Sequence, residues 1–255
     1  TRGDRRSGDR NCTPRATIAD EAGVSVDPTE PLVSIVIPTF RRPEALARCL
    51  SSVKANVPMS HEVICVTVAG DKPTDAIVAA SGVRHIRQAE RLGFVRAANA
   101  GFRAATGRWL LQLNDDCRLL PHSVGNAIRF LSVPAHATVG QAAFFHDTPV
   151  TRNVYQQIDL DGRTFRVLHV RGLCYANFGL VRRSLAERLG HFDERYRMYG
   201  ADPDFSLKIW HDAGMEVRPC PGALVEHDEL VDERSAEERP GQHDDNAALF
   251  LKWGL

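Results

Sequence analysis

The chain has 255 residues, of which 43% are hydrophobic and 25% are charged, a composition typical of a globular protein with one large domain or two small ones. Its 32 basic and 32 acidic residues balance, which excludes a whole-chain field that attracts nucleic acid or an anionic membrane surface. The six cysteines form no CxxC pair, no secretory segment is recognisable, and the apolar stretches are far shorter than the ~20 residues that cross a bilayer. We therefore expect a cytoplasmic protein without a disulfide framework or zinc site, which contacts the inner face of a membrane peripherally at most.

Strand and helix patterns alternate along the first half of the chain. Residues 1–30 are rich in charge, glycine and proline without a sustained period, which predicts a flexible leader. The β-branched run 32–40 then predicts a buried parallel strand, and 42–55 predicts a helix with Leu46, Leu50 and Val53 on one face. The alternation continues with strands over 61–70, 83–87 and 108–115 and helices over 72–82 and 93–106.

This order of elements predicts an α/β fold with a doubly wound, mostly parallel sheet. Such a sheet binds ligands at the carboxyl ends of its strands, where the strand order reverses, and the sequences PTF and NDD fall at two of these ends. The second half is less regular. Short strands and loops are expected over 133–170, with helices over 123–132, 184–190 and 203–214.

Three polar side chains, those of Asn114, Asp115 and Asp116, end the apolar run WLLQL. Asn and Asp are common turn formers, so a strand-ending turn explains them without any further role. Paired carboxylates at this edge of a sheet also suit a hard divalent cation. This stretch alone leaves both interpretations open.

Further polar groups lie downstream. Asp202 and Asp204 flank Pro203 at the expected start of a helix, where carboxylates act as caps; capping needs only one of them, and Asp202 can instead serve as a general base. His227 is either a surface histidine between acidic residues or a metal ligand, since manganese accepts imidazole as well as carboxylate oxygen. A cation held by Asp116 and His227 would leave positions for the two phosphates of a nucleotide.

Three segments carry a family resemblance: VSIVIPTFRRPEALARCLSSV, ERLGFVRAANAGFRAATGRWLLQLNDDC, and the region from GLCYANFG to ALVEHDE. In order and separation they resemble the family 2 glycosyltransferases of the GT-A fold, in a rhamnosyltransferase-like subgroup. The resemblance covers roughly 32–228 and extends weakly to the closing FLKWG. It implies a Rossmann-like nucleotide-binding half over 31–120, an irregular acceptor-binding half over 121–228, and a charged C-terminal segment and tail over 229–255.

The resemblance also implies roles for individual residues. Asp202 matches the catalytic base, and Asp116 and His227 match the metal ligands. The positions that match nucleotide contacts are Pro38, Thr39, Phe40, Arg42, Thr67, Arg91, Gly93, Arg96, Asn99, Asn114 and Asp115. The acceptor or sugar side is expected to include Gly172, Tyr199 and Asp204, and Tyr199 is as readily explained as core packing.

The function that the resemblance implies is inverting transfer of a hexosyl or deoxyhexosyl unit from a nucleotide-diphosphate sugar to an acceptor hydroxyl, with Mn²⁺ or Mg²⁺ as cofactor. The acceptor is expected to be a glycan, a glycolipid or a secondary metabolite, and an oligomer stays open. A short chain without a membrane helix favours the addition of a single sugar over processive synthesis.

Three positions depart from the family pattern. Thr67 stands where the second strand usually ends in an aspartate that binds the base, so the identity of the base stays open. Arg91 replaces an expected asparagine and either pairs with the diphosphate or is a solvated arginine. Ala201 replaces the first acid of the family's ED.D element, which lowers the pKa of Asp202 by removing a like charge, or signals an unusual acceptor or a lost activity.

Two other functions therefore remain as alternatives. The changes at Thr67 and Ala201 are compatible with a catalytically silent sugar-nucleotide binding module. A nucleotidyltransferase has a similar sheet, but the first strand here lacks the glycine-rich signature with a lysine that such an enzyme needs.

Overall fold

The computed structural model describes residues 18–19, 25–26, 31–228, 230 and 232–255. Residues 31–255 belong to one compact unit. In the N-terminal unit, 1–30, two short strands pair antiparallel, β1 (Ile18–Ala19) and β2 (Ser25–Val26). The rest of the predicted leader lies outside the described residues.

Strands and helices alternate through the first part of the larger unit, as predicted. The strands are β3 (Val33–Pro38), β4 (His61–Val68), β5 (Arg84–Gln88), β6 (Trp109–Gln112), β7 (Cys117–Leu119), β8 (Val139–His146), β9 (Val154–Leu160), β10 (Arg163–Val170), β11 (Leu173–Tyr175), β12 (Gly179–Arg182) and β13 (Glu216–His227). The helices are α1 (Pro43–Asn56), α2 (Lys72–Ser81), α3 (Phe94–Ala104), α4 (Ser123–Ser132), α5 (Arg183–Arg188), α6 (Ala201–His211) and α7 (Glu233–Trp253), and a 3-10 turn lies at Pro134–His136.

The parallel part of the sheet has the strand order β5-β4-β3-β6. The chain runs outward from β3 to β4 and β5 and then returns to β6 on the other side of β3, so the strand order reverses between β3 and β6. Every residue of β3 is buried, because apolar clusters cover both faces of the sheet, one around Ile35 and Leu46 and the other around Val36 and Val95. A ligand crevice is therefore expected where β3 and β6 end.

The second half of the sheet is more regular than its sequence suggests. Where short strands and loops were expected, β8 has eight buried residues and β9 pairs with β10 in a long antiparallel hairpin. Beyond β6 the sheet is mixed, since β12 is antiparallel to β6 and β8 while β13 is parallel to β8. The exposed strand β9 has no buried residue, so the alternating apolar pattern that identifies a half-buried strand is absent from it.

One strand pair positions the site directly. Strand β13 pairs antiparallel with β7 in the register His227↔Cys117. The residue before Cys117 is Asp116, so this register sets the last residue of β13 beside the end of the NDD stretch.

Helix α7 lies within the predicted charged segment 229–255. It packs against the rest of the larger unit. The carboxylate of Asp245 accepts hydrogen bonds from three consecutive backbone N–H groups, those of Arg197, Met198 and Tyr199, at 3.0, 2.9 and 2.8 Å. Among the described residues, no helix combines the length and apolarity that crossing a membrane requires.

Candidate active site

A cavity of about 610 Å³ opens at the carboxyl ends of β3 and β6, where the strand order reverses. Most of the side chains singled out from the sequence line it. They are Pro38, Thr39, Phe40, Arg42, Arg91, Gly93, Asn114, Asp115, Asp116, Tyr199, Asp202 and His227.

The NDD stretch is both a turn and part of the cavity wall. The backbone N–H of Cys117 donates to the carbonyl of Asn114 at 3.2 Å, and the Asn114 side chain accepts a hydrogen bond from Gln112 at 2.9 Å. This turn holds the carboxylates of Asp115 and Asp116, which are only 1% and 5% exposed, at the edge of the cavity. The two interpretations of the sequence are therefore compatible.

Asp116 and His227 meet at the centre of this edge. Nε2 of His227 lies 3.3 Å from Oδ1 of Asp116, yet within the described residues this buried oxygen accepts no hydrogen bond. Burial acts to raise the pKa of Asp116, but the adjacent His227 and the charge of Arg42 outweigh it and lower the pKa to about 2. Asp116 is therefore an anion at neutral pH with one oxygen available for a ligand.

The other oxygen of Asp116 is held by Arg42. Nη1 of Arg42 donates to Oδ2 of Asp116 at 2.6 Å and lies 3.4 Å from Oδ1 of Asp115, while Nε donates to Asp232 at 2.6 Å. The guanidinium is 5% exposed, so it supplies the countercharge that two buried carboxylates need. Its Nη2 also donates to the carbonyl of Leu230 at 2.8 Å, which fastens the segment after β13 to the site.

Asp202 lies in the first turn of α6 and lines the same cavity. The helix has Gly200 as its N-cap and no side-chain cap, so neither Asp202 nor Asp204 has the capping role that the sequence suggested. Desolvation raises the pKa of Asp202 to about 7. A half-buried carboxylate with such a pKa is suited to accept a proton near neutral pH.

Residues at the ends of β3, β4 and β5 form another part of the cavity lining. Two guanidinium groups lie over the ring of Phe40, with the Cζ atoms of Arg41 and Arg91 at 4.7 and 4.5 Å from its centroid. Val66, Val68 and the amide of Gln88 complete this wall. The hydroxyl of Thr39 is buried there without a hydrogen-bond partner among the described residues.

Arg91 forms an ion pair that neither interpretation of the sequence includes. Its Nη1 donates to Glu237 of α7 at 2.7 Å, and Arg41 pairs with the same carboxylate at 3.6 Å. In this structure Arg91 therefore pairs with α7 and also lines the cavity.

Three residues expected at the nucleotide lie outside the cavity lining. The buried hydroxyl of Thr67 donates to Asp75 at 2.9 Å and lies 2.7 Å from Nε2 of His85. Asn99 bonds the backbone of Phe192 through both its amide groups. Arg96 is half exposed and pairs with Glu194 at 3.7 Å.

Two residues expected on the acceptor side also lie elsewhere. Gly172 occupies the exposed turn between β10 and β11 with φ = +85°. Asp204 is fully buried and holds α7 in place, because it accepts from Trp253 Nε1 at 2.8 Å and pairs with Lys252 at 2.7 Å.

Gly93 lines the cavity at the start of α3 and needs to be a glycine. Its φ is +97°, and a Cβ at this position would lie 2.6 Å from the carbonyl oxygen of Arg197. The close approach lets the N–H of Val95 donate to that same carbonyl at 3.2 Å. Gly93 thus joins α3 to the segment that Asp245 holds, which carries Met198 and Tyr199 into the cavity wall.

Sequence reasoning missed His146, Thr148 and Asn177, which line the cavity behind His227. They lie in segments where only loops or unassigned contacts were expected, and no spacing in the sequence links them. Burial lowers the pKa of His146 to about 4, so its ring is neutral at physiological pH.

The sequence of the chain matches a known family of enzymes. The family model described as Glycosyl transferase family 2 matches residues 34–190, more than half of the chain. The chain belongs to this family.

Individual proteins agree with the assignment. The chain is 27% identical to the uncharacterized glycosyltransferase YwdF of Bacillus subtilis over 209 residues, which are 80% of this chain and 78% of that protein. It is 26% identical to a PGL/p-HBAD biosynthesis glycosyltransferase of Mycobacterium bovis over 205 residues, which are 74% of this chain and 73% of that protein.

A solved structure supports the fold. The mannosyltransferase PcManGT from Pyrobaculum calidifontis, in complex with GDP-Man and Mn²⁺, matches with a TM-score of 0.61 and 20% sequence identity. The match covers 84% of this chain but only 62% of that chain. It confirms the expected α/β fold of GT-A type.

Proposed function

We propose that the chain is a metal-dependent, inverting glycosyltransferase, which moves one hexosyl or deoxyhexosyl unit from a nucleotide-diphosphate sugar to an acceptor hydroxyl. The observation that carries this proposal is the shared cavity. Oδ1 of Asp116, which accepts no hydrogen bond from the described residues, lies beside Nε2 of His227, and both residues line the same space as Asp202. The family supports sugar transfer in general, and the metal and the stereochemistry are our inference.

The residues at the proposed metal position fit Mn²⁺ or Mg²⁺. Asp116 Oδ1 and His227 Nε2 would hold the ion, since carboxylate oxygen suits both cations and imidazole is accepted by manganese in particular. Sγ of Cys117 lies within 4.8 Å of both ligand atoms, but Mn²⁺ and Mg²⁺ prefer oxygen ligands to a soft thiolate, so we leave Cys117 out of the proposed ligand set. When bound, the cation would neutralise the charge that develops on the departing diphosphate.

Asp202 would serve as the general base. Its carboxylate would accept the proton of the acceptor hydroxyl while that oxygen forms a bond to the anomeric carbon. The bond from this carbon to the diphosphate oxygen breaks on the opposite face, which inverts the configuration. Ala201 replaces the neighbouring acid, and desolvation, which raises the pKa of Asp202 to about 7, tunes the base instead.

The nucleoside would bind between the end of β3 and the end of β5. Phe40 lines this space, the Thr39 hydroxyl has no partner among the described residues, and Gln88 offers both a donor and an acceptor. Thr67 is engaged with Asp75, so we assign recognition of the base edge to Gln88 instead. An amide does not impose the charge of the family's usual aspartate, and the base therefore stays open.

The proposal extends to the acceptor and the cellular localisation. We expect a glycan, glycolipid or secondary-metabolite acceptor and action in the cytoplasm or at the inner face of the membrane. Membership of the rhamnosyltransferase-like subgroup stays a prediction.

The test is release of nucleoside diphosphate from a panel of sugar nucleotides, with and without candidate acceptors, in Mn²⁺ and in EDTA. Asp202→Asn should reduce turnover by about 10² to 10⁴ or more while nucleotide affinity stays close to wild type. A fully active Asp202→Asn variant would refute the assigned base, and undiminished turnover in EDTA would refute the metal. A wild-type protein that binds sugar nucleotides but turns over none would favour the silent binding module instead.

A further inference from the structure

A chain of polar side chains leads from His227 into the domain. Nδ1 of His227 lies 2.9 Å from Oγ1 of Thr148, and the same hydroxyl lies 2.8 Å from Nδ1 of His146. Nε2 of His146 lies 3.2 Å from Oδ1 of Asn177. Thr148 and His146 are only 5% and 2% exposed, so these contacts are sheltered from exchange with solvent.

The direction of the hydrogen bonds follows from the inner end of this chain. The side-chain atom of Asn177 that faces Nε2 of His146 is the carbonyl oxygen Oδ1. A carbonyl oxygen only accepts, so the single proton of the neutral His146 ring resides on Nε2. Nδ1 of His146 is then an acceptor, and the Thr148 hydroxyl must donate to it.

The Thr148 oxygen consequently accepts from the other side. Its only proton is used toward His146, so the contact with His227 requires a proton on Nδ1 of His227. The nearby Asp116 carboxylate has the opposite effect, because Oδ1 at 3.3 Å favours a proton on Nε2. If Nδ1 faced no acceptor, the proton of a neutral His227 ring would reside on Nε2, next to Asp116. Nε2 would then lack the lone pair that a cation needs.

We propose that Thr148, His146 and Asn177 are positioning residues that hold the proton of His227 on Nδ1 and so reserve Nε2 for a divalent cation. The inference rests on the proposed metal site. Ligating histidines commonly donate their second N–H to an oxygen acceptor that fixes the ring and its tautomer. Here the acceptor is the Thr148 hydroxyl. Because its own proton is donated to Nδ1 of His146, the hydroxyl can only accept from His227.

Two pairs of matched variants test the chain through Mn²⁺ affinity, measured by electron paramagnetic resonance of the free ion. Thr148→Val removes the hydroxyl at nearly constant volume, and Thr148→Ser keeps it. His146→Gln removes the acceptor that faces Thr148, and His146→Asn keeps an acceptor near the position of Nδ1. We expect affinity to fall about 10- to 100-fold in Thr148→Val and His146→Gln. It should stay within about threefold of wild type in Thr148→Ser and His146→Asn. Equal affinity in Thr148→Val and Thr148→Ser, each confirmed as folded by circular dichroism, would overturn the proposal.

A second measurement reports on the chain without any metal. In ¹⁵N-histidine-labelled wild-type protein, long-range ¹H–¹⁵N spectra should show Nδ1 of His227 protonated, and Thr148→Val should lose that preference while Thr148→Ser keeps it. A wild-type His227 whose neutral ring carries its proton on Nε2 would overturn the proposal. If wild-type protein binds no Mn²⁺ yet shows the Nδ1 proton, the metal site fails and the positioning chain stands, so the two failures are distinguishable. If Thr148→Val does not fold, the His146 pair and the wild-type spectrum decide.

Discussion

Nε2 of His227 lies 3.3 Å from Oδ1 of Asp116, although the two residues belong to opposite halves of the chain. The register between β13 and β7 creates this contact, and the buried Arg42 guanidinium holds the other oxygen of Asp116 at 2.6 Å. The carboxylate is thus anchored through one oxygen and offers the second. Such an arrangement would preorganise the proposed cation site.

The pH dependence of turnover should follow Asp202. Desolvation raises the pKa of this carboxyl to about 7, so the base form dominates only above that pH. We expect kcat/KM to rise with pH below about 7 and to level off above it, as measured with saturating Mn²⁺. A profile that is flat between pH 5 and 8 would contradict the assignment of Asp202 as the base.

Asp202 should also lower the stability of the fold at neutral and alkaline pH. Its folded pKa lies above the value of about 3.9 in an unfolded chain, so its ionisation disfavours the folded state increasingly as pH rises from about 4 to 7. Asp202→Asn should therefore stabilise the protein by roughly 1–3 kcal/mol at pH 8 and have little effect near pH 4. Urea unfolding at both pH values measures the difference in the free energy of unfolding between Asp202→Asn and wild type. A variant less stable than wild type at pH 8 would show that burial of the Asp202 carboxylate does not destabilise the fold.

Arg42 should be indispensable to the fold of the site. Replacement by methionine keeps much of the volume but leaves Asp115 and Asp116 buried without their countercharge, which costs about 3–5 kcal/mol. The matched control is Arg48→Met, since Arg48 is half exposed and pairs with Asp228 at 3.3 Å; it should change stability by less than about 1 kcal/mol. Urea unfolding compares the two variants. Equal destabilisation would mean that Arg42 contributes no more than a surface ion pair.

Asp245 should control the cavity wall from a distance. Asp245→Asn keeps one acceptor oxygen and places an NH₂ group against backbone donors of the segment 197–199, which carries Tyr199. We expect a loss of about 1–3 kcal/mol in stability and of about 10- to 100-fold in kcat/KM, because the wall of the cavity shifts. The neighbouring Asp244 is exposed, so Asp244→Asn is the control and should behave as wild type in unfolding and turnover assays. An Asp245→Asn variant with unchanged kcat/KM would show that this segment does not shape the site.

The sequence predicts the parallel half of the fold well, because buried strands such as β3 carry continuous β-branched runs and the intervening helices carry apolar faces. It also identifies the side chains at the ends of β3 and β6, since a doubly wound sheet must bring those ends together. Thr67, by contrast, shows the limit of motif positions: its place in the chain matches a base contact, but its hydroxyl bonds Asp75. The direction of one side chain depends on local packing that a pattern does not encode.

Other parts of the site depend on tertiary contacts alone. The role of Asp245 depends on how α7 packs. The sequence does not predict this packing, because most residues of α7 are polar and the segment resembles a charged tail. Likewise, His146 and Thr148 meet His227 through the parallel pairing of β13 with β8, in the register Val225↔His146. No spacing in the sequence predicts that strand pairing, so this chain of polar side chains is recognisable only from the structure.

We expect a divalent cation held by Asp116 to link the protein to a nucleoside diphosphate. Isothermal titration of UDP and GDP into wild-type protein and Asp116→Asn, each in Mn²⁺ and in EDTA, measures this link. At least one nucleotide should bind wild type at least about tenfold more tightly in Mn²⁺ than in EDTA, and Asp116→Asn in Mn²⁺ should bind it as weakly as wild type does in EDTA. Tight binding that is the same in Mn²⁺ and EDTA and unaffected by Asp116→Asn would contradict it.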